Sequence, residues 1–348
     1  MPSFTAFAFS LLHNPVLCLI VLLVAGVIFV NGWTDAPNAI ATCISTRCMR
    51  VQTAIWMSAA FNFLGVLVMT LYNATVASTM THMVNFSGDT VQALTALCAA
   101  LTAIIIWAVA AWAFGIPTSE SHALIAGLSG AAVALQGGWS GIHVSAWLKV
   151  LYGLLLSTLL GFAMGYLLCR AIMLVCYRMD RTRTDALFKG AQIVGGAAMS
   201  FMHGAQDGQK FMGVLLLALA LLHGQGESIT AVPPLWMMLF CSIVMGLGTS
   251  VGGKKIIKSV GMGMVRLERY QGFSADVASA LCLLLCSLYG IPVSTTHTKT
   301  TAIMGAGVAK RPSSVRLCVV REMVLTWFLT FPGCGLIGFI IAQWFMSF

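Results

Sequence analysis

Two polar motifs each occur twice in this chain, and that repetition limits what it can fold into more than any other feature. Gly32-Trp33-Thr34-Asp35-Ala36-Pro37-Asn38 is echoed by Gly204-Ala205-Gln206-Asp207-Gly208-Gln209-Lys210. Gly115-Ile116-Pro117-Thr118-Ser119-Glu120-Ser121-His122 is echoed by Gly290-Ile291-Pro292-Val293-Ser294-Thr295-Thr296-His297. The paired Asp residues lie 172 positions apart and the paired His residues 175, so one duplication accounts for both. Matched polar motifs set inside apolar segments predict two halves meeting at a shared site.

The medium is set by composition. With 59% hydrophobic and only 8% charged residues, the chain is far below the roughly 25% charged residues of soluble domains and reads as an integral membrane protein. Its length divides into spans of about 20 residues. A formal charge of +9 invites a nucleic-acid reading, but the distribution excludes one: 16 of the 19 Lys and Arg fall into five clusters, at 47–50, 170–189, 254–258, 266–269 and 310–321. Basic clusters beside apolar runs are the positive-inside signal. The eleven Cys are scattered without C-x-x-C spacing and read as small buried hydrophobes. No basic residue precedes Arg47, so a cleaved leader is not expected.

Placing every basic cluster in the cytoplasm fixes a topology. The N-terminus lies outside, and five spans follow at 15–41, 53–72, 93–112, 122–135 and 149–170. The basic segment 178–189 stays inside, and five more spans run at 193–222, 235–251, 274–289, 297–309 and 323–345. Five crossings per half is odd, so the halves are inverted relative to each other. The expected fold is an all-α polytopic membrane protein with two inverted-topology repeats, broken helices and about 10 to 12 membrane segments. Its divisions are 1–177, a cytoplasmic basic linker at 178–190, and 191–348. The segment 254–272 mixes apolar and basic residues and fits either a loop or an interfacial helix.

Ionisable groups within spans are costly and mark function. Asp35 sits among Gly, Pro and Thr, and Asp207 lies between Gly204 and Gly208, so both motifs are expected to interrupt a helix. A break exposes carbonyls on one side and amides on the other. Asp35, Asn38, Asp207 and the oxygens of Thr34 or Gln206 can cage a hard cation such as Na⁺, or an Asp can carry a proton. The Gly-Ile-Pro segments open helices with Ser or Thr caps, a setting that favours an anion. Thr118, Ser119, Ser121, Ser294, Thr295 and Thr296, with Gln206, are therefore candidate ligands for a tetrahedral oxyanion. Lys210 and Lys299 are the only basic groups expected within spans. Either can supplement that site, although Lys210 can instead pair with Asp207 and Lys299 can lie exposed at an outer helix end. Glu120, replaced by Thr295 in the second copy, is a candidate for proton or cation coupling. His122 and His297 are expected to orient the breaks rather than touch the ligand. Asp276 and Glu322 read as solvated or Arg-paired residues at span ends.

On these motifs the chain resembles the inorganic phosphate transporter family, whose members carry duplicated G-x-N-D-x-x-N and G-[IL]-P-V-S-T-T-H segments. The resemblance includes residues 31–50, 115–132, 200–213, 246–261, 290–307 and 327–332. It implies a homodimeric carrier of inorganic phosphate, or of sulfate, driven by Na⁺ or H⁺ through alternating access, with no further cofactor and no nucleic-acid partner. A bacterial inner membrane is the expected location. This chain departs from the family pattern at Thr34, Gln206, Lys210 and Glu120. The alternatives from other classes are a passive anion channel, and an intramembrane hydrolase using Ser119 or Ser121 with His122, which lacks a G-x-S-x-G elbow.

Overall fold

The computed structural model describes residues 3–86, 88–116, 118–222, 232–253, 255–257 and 264–347. Among these the chain is helical throughout, in thirteen α-helices: α1 (Phe4–His13), α2 (Pro15–Thr34), α3 (Pro37–Ser45), α4 (Val51–Tyr72), α5 (Thr75–Thr81), α6 (Thr90–Ala113), α7 (Glu120–Gln136), α8 (Val144–Val175), α9 (Arg181–Leu222), α10 (Leu235–Val251), α11 (Arg269–Leu288), α12 (Thr295–Lys310) and α13 (Leu317–Met346). Counting α2 and α3 together, seven segments among the described residues are long and apolar enough to cross a membrane. The expected spans at 122–135, 235–251 and 297–309 form the shorter helices α7, α10 and α12. The short helices α1 and α5 were not anticipated. The expected outer loop at 223–228, together with Lys254 and Lys258 of one basic cluster, lies outside the described residues.

The two Asp motifs fold differently. Between α2 and α3 the chain turns at Asp35 and Ala36, whose amides both reach back to Asn31 O at 2.9 and 3.3 Å. Pro37 opens α3 at its first turn, where a missing N–H costs nothing. The second motif was expected to break its helix as well, yet α9 runs unbroken for 42 residues through Gly204–Lys210. Gln209 stands where the first copy has Pro37, so no backbone donor is lost. Gly204 and Gly208 serve packing instead: a methyl on either would lie 2.3 Å from Asn62 O or 2.4 Å from a Val66 methyl on α4. From Arg181 onward the basic linker forms the first turns of α9.

Helix pairs recur in a crossed pattern. α4 packs on α9 while α10 packs on α2, and α7 packs on α13 while α12 packs on α8. Each of these pairs approaches through glycine, as at Gly248 against Phe29 O, Gly130 against Gly335 O and Gly305 against Phe162 O. Such close backbone contacts carry helix association in an apolar medium. α9 is buried along most of its length, whereas α8 and α13 leave their apolar faces largely exposed at the periphery. Eight cysteines are buried, Cys18 and Cys176 are half-buried and Cys318 is exposed; all are free thiols.

Candidate functional site

The chain turns in the same way at Gly115-Ile116 and at Gly290-Ile291. Helices α6 and α11 end with a glycine in the left-handed region, Gly115 at φ 69° and Gly290 at φ 61°. Ile116 N donates to Ala111 O and Gly115 N to Trp112 O, and the same pair of bonds recurs from Ile291 to Cys286 and from Gly290 to Ser287. This is a Schellman ending, in which only glycine avoids a Cβ penalty at the left-handed position. A few residues on, Ser119 accepts from His122 N at 3.3 Å to cap α7, and Ser294 accepts from His297 N at 3.2 Å to cap α12. The two caps meet: Ser119 Oγ and Ser294 Oγ lie 2.7 Å apart in the buried centre. Two helix N-termini thus converge, each contributing free amides and a partial positive charge.

The carboxylates lie beside these caps. Asp35 accepts from Asn38 Nδ2 at 2.6 Å and from the Thr296 hydroxyl. Asp207 pairs with Lys210 Nζ at 2.6 Å and accepts from Asn31 Nδ2 at 3.2 Å. The Thr295 hydroxyl is 3.2 Å from both Asp35 Oδ2 and Asp207 Oδ2, so a residue of one half touches the Asp of each. Thr34 donates to Glu120 Oε1 at 3.0 Å, bringing a third carboxyl group to the cluster. Asp35, Asp207, Glu120 and Lys210 are all essentially excluded from solvent. Three carboxyl groups against one ammonium leave a charge imbalance that a protein interior tolerates only with a bound cation or proton.

The donor set fits such a cation. Ligand atoms of Asp35, His203 and Asp207 lie within 4.8 Å of one another. The amide oxygens of Asn31 and Asn38, as oriented, are buried with no hydrogen-bond partner among the described residues. Carboxylate and amide oxygens suit a hard ion such as Na⁺. His203 lies against the same carboxylates, with Nε2 3.5 Å from Asp207 Oδ2 and Nδ1 2.8 Å from Asn62 Oδ1.

Other candidates take supporting positions. Ser121 Oγ lies 3.4 Å from Val293 O, and Thr296 Oγ1 lies 3.5 Å from Thr118 O. Gln206 bonds Ile291 O at 2.8 Å and Ser287 at 2.5 Å, bracing the end of α11. Lys210 directs its three N–H groups at Asp207, Ser121 (2.6 Å) and Val293 O (2.5 Å). Contact between its ammonium and an anion therefore requires one of these bonds to be given up. His122 and His297 meet edge to face at 4.4 Å and stack on Phe331 and Trp327. Among the described residues no hydrogen bond joins a His122 nitrogen to Ser119 or Ser121, whose hydroxyls face Ser294 and Val293 O, so the structure shows no Ser–His dyad.

Two expectations need correcting. Lys299 is not exposed at an outer helix end and Asp276 is neither solvated nor Arg-paired; they form a fully buried ion pair with each other, joined by Thr42. Asn31, His203 and this pair were missed from the sequence. A His beside Gly204 in an apolar run was the available signal for His203.

A model of the phosphate transporter family matches residues 31–338. The chain belongs to that family. It is 35% identical over 312 residues to a probable low-affinity inorganic phosphate transporter of Bacillus subtilis (strain 168), covering 89% of this chain and 91% of the relative. It is 38% identical to a protein of the same description from Rhizobium meliloti (strain 1021), covering 89% and 90%. Among solved structures it shares the fold of one titled the sodium-dependent phosphate transporter, with a TM-score of 0.84 at 21% identity over 96% of this chain and 99% of the other.

Proposed function

We propose that this protein is a secondary active transporter of inorganic phosphate, coupled to Na⁺ or H⁺ and working by alternating access. The observation that carries the proposal is the meeting of two Ser-capped helix starts at 2.7 Å, one from each half of the chain, flanked by Asp35 and Asp207. Thr118, Ser119, Ser121, Ser294, Thr295 and Thr296, with Gln206 and Lys210, form the phosphate site in this reading. Neutral hydroxyls and amides hold a tetrahedral anion without trapping it. Asp35, Asn38, Thr34, Asp207 and Glu120 couple transport to the cation, and Na⁺, if used, binds at Asp35, Asn38 and Asp207.

The halves 1–177 and 191–348, joined at 178–190, act as inverted repeats with ten crossings, consistent with the crossed pairing of α4 on α9 and α10 on α2. Rocking of one half against the other opens the buried centre to each side in turn. The same reading has a homodimer in a bacterial inner membrane with the N-terminus outside.

Reconstituted vesicles test it. Radiolabelled phosphate should accumulate above its outside concentration under a Na⁺ or a proton gradient. Accumulation of sulfate in its place would reassign the substrate, equilibration without accumulation would make the protein a passive channel, and no uptake of either anion would refute transport.

A further inference from the structure

The two copies of the Asp motif use equivalent positions for different charges. In the first, Asn38 Nδ2 reaches Asp35 Oδ1 at 2.6 Å and Thr296 Oγ1 at 3.2 Å, and Thr296 faces Thr118 O. In the second, Lys210 Nζ reaches Asp207 Oδ1 at 2.6 Å, Ser121 Oγ at 2.6 Å and Val293 O at 2.5 Å, and Ser121 faces Val293 O. By the motif spacing Lys210 corresponds to Asn38, Ser121 to Thr296 and Val293 to Thr118.

A carboxylate, a hydroxyl and a main-chain carbonyl converging on one point are the ligands of a hard cation. In the second half that point holds the Lys210 ammonium, whose three donors are all used by the three oxygens. In the first half the corresponding group is a neutral amide, and its oxygen Asn38 Oδ1 has no hydrogen-bond partner among the described residues. The same donor chemistry recurs around the other buried lysine, where Lys299 Nζ meets Asp276, Thr42 Oγ1 at 3.3 Å and Ala39 O at 3.4 Å.

We propose that the Lys210 ammonium is a tethered cation. It fills permanently, in the second half, the cage that the first half leaves to a mobile ion, so that Lys210 serves Asp207 in place of phosphate and a single free cation, bound at Asp35 and Asn38 without Asp207, accompanies each phosphate. The inference rests on the coupled transport proposed above. A tethered charge neutralises Asp207 in every state of the cycle, including the return of the empty carrier. A mobile ion does so only when bound.

The test compares the wild-type protein with Lys210→Asn, which gives the second copy the residue of the first. In reconstituted vesicles the ratio of radiolabelled Na⁺ to radiolabelled phosphate taken up should not exceed one for the wild type and should rise by one in the variant. In detergent, the variant's Tm should rise more steeply with Na⁺ than the wild type's, because a new site binds only the folded state. This second readout decides the matter if the variant folds without transporting. Two Na⁺ per phosphate in the wild type would overturn the proposal, as would an unchanged ratio in an active variant or unchanged Na⁺ dependence of Tm. Absence of wild-type phosphate uptake under any gradient would instead refute the transport reading, leaving the Tm comparison to judge the tether.

Discussion

The first Asp motif is a broken helix with a neutral partner, and the second is an unbroken helix with a charged one. Pro37 ends α2 and starts α3 beside Asp35, whereas α9 continues through Asp207 and brings Lys210 onto the same helical face three residues on. Equivalent positions of the two motifs thus hold two carboxylates around one centre, each with a different partner. Among the described residues the first motif has amide oxygens without hydrogen-bond partners, at Asn31 and Asn38, while in the second the Asp207 charge is met by Lys210. The lesson is that like motifs in a repeat protein share position without sharing charge state or backbone conformation.

The largest expected effects test that inequality. Asp35→Asn and Asp207→Asn should each lower phosphate uptake by about 100-fold or more, a loss of roughly 2.7 kcal/mol. Their stabilities should diverge. Asp207→Asn strands a buried ammonium, at about 3 to 5 kcal/mol. Asp35→Asn removes hydrogen bonds to neutral groups, at about 1 kcal/mol each. Thermal unfolding in detergent checks this, and equal Tm losses would erase the distinction between the copies.

A comparable effect is expected at the second buried pair. The positions equivalent to Asp276 and Lys299 in the first half are Leu101 and Leu124, both buried in the largest apolar cluster. Asp276→Asn should destabilise by about 3 to 5 kcal/mol, while the double change Asp276→Leu with Lys299→Leu should recover most of that loss. A double variant as unstable as the single one would show that the pair is required for more than charge balance.

A somewhat smaller effect separates the backbones. Gln209→Pro gives α9 the proline of the first copy and should cost about 3 kcal/mol by removing a helix bond. Pro37→Ala should shift stability by about 1 kcal/mol or less, since that N–H position carries no required bond. Similar shifts for the two would mean that α9 is already interrupted at Asp207.

Much of this was legible beforehand. Motif spacing together with the inversion read from the basic clusters places Asp35, Asp207 and the two Ser caps around a common centre. Pro37 announced its break through a missing donor. Gly204 and Gly208 did not reveal themselves as packing residues, since glycine four apart reads equally as a flexible hinge or as a close helix contact. The Asp276–Lys299 pair was hidden because its members are 23 residues apart on different helices and only their packing brings them together. His203 and Asn31 flank the first-recognised motif residues, and nothing in their spacing fixes the side that each presents.

The central claim is that one phosphate site is shared by both halves, and the phosphate KM of Ser119→Ala and Ser294→Ala tests it most directly. Loss of a hydroxyl hydrogen bond to a charged ligand is worth about 1.5 kcal/mol, or about tenfold. Both variants should raise KM by about that factor. A normal KM in either one, with the other impaired, would place phosphate within a single half and contradict the account.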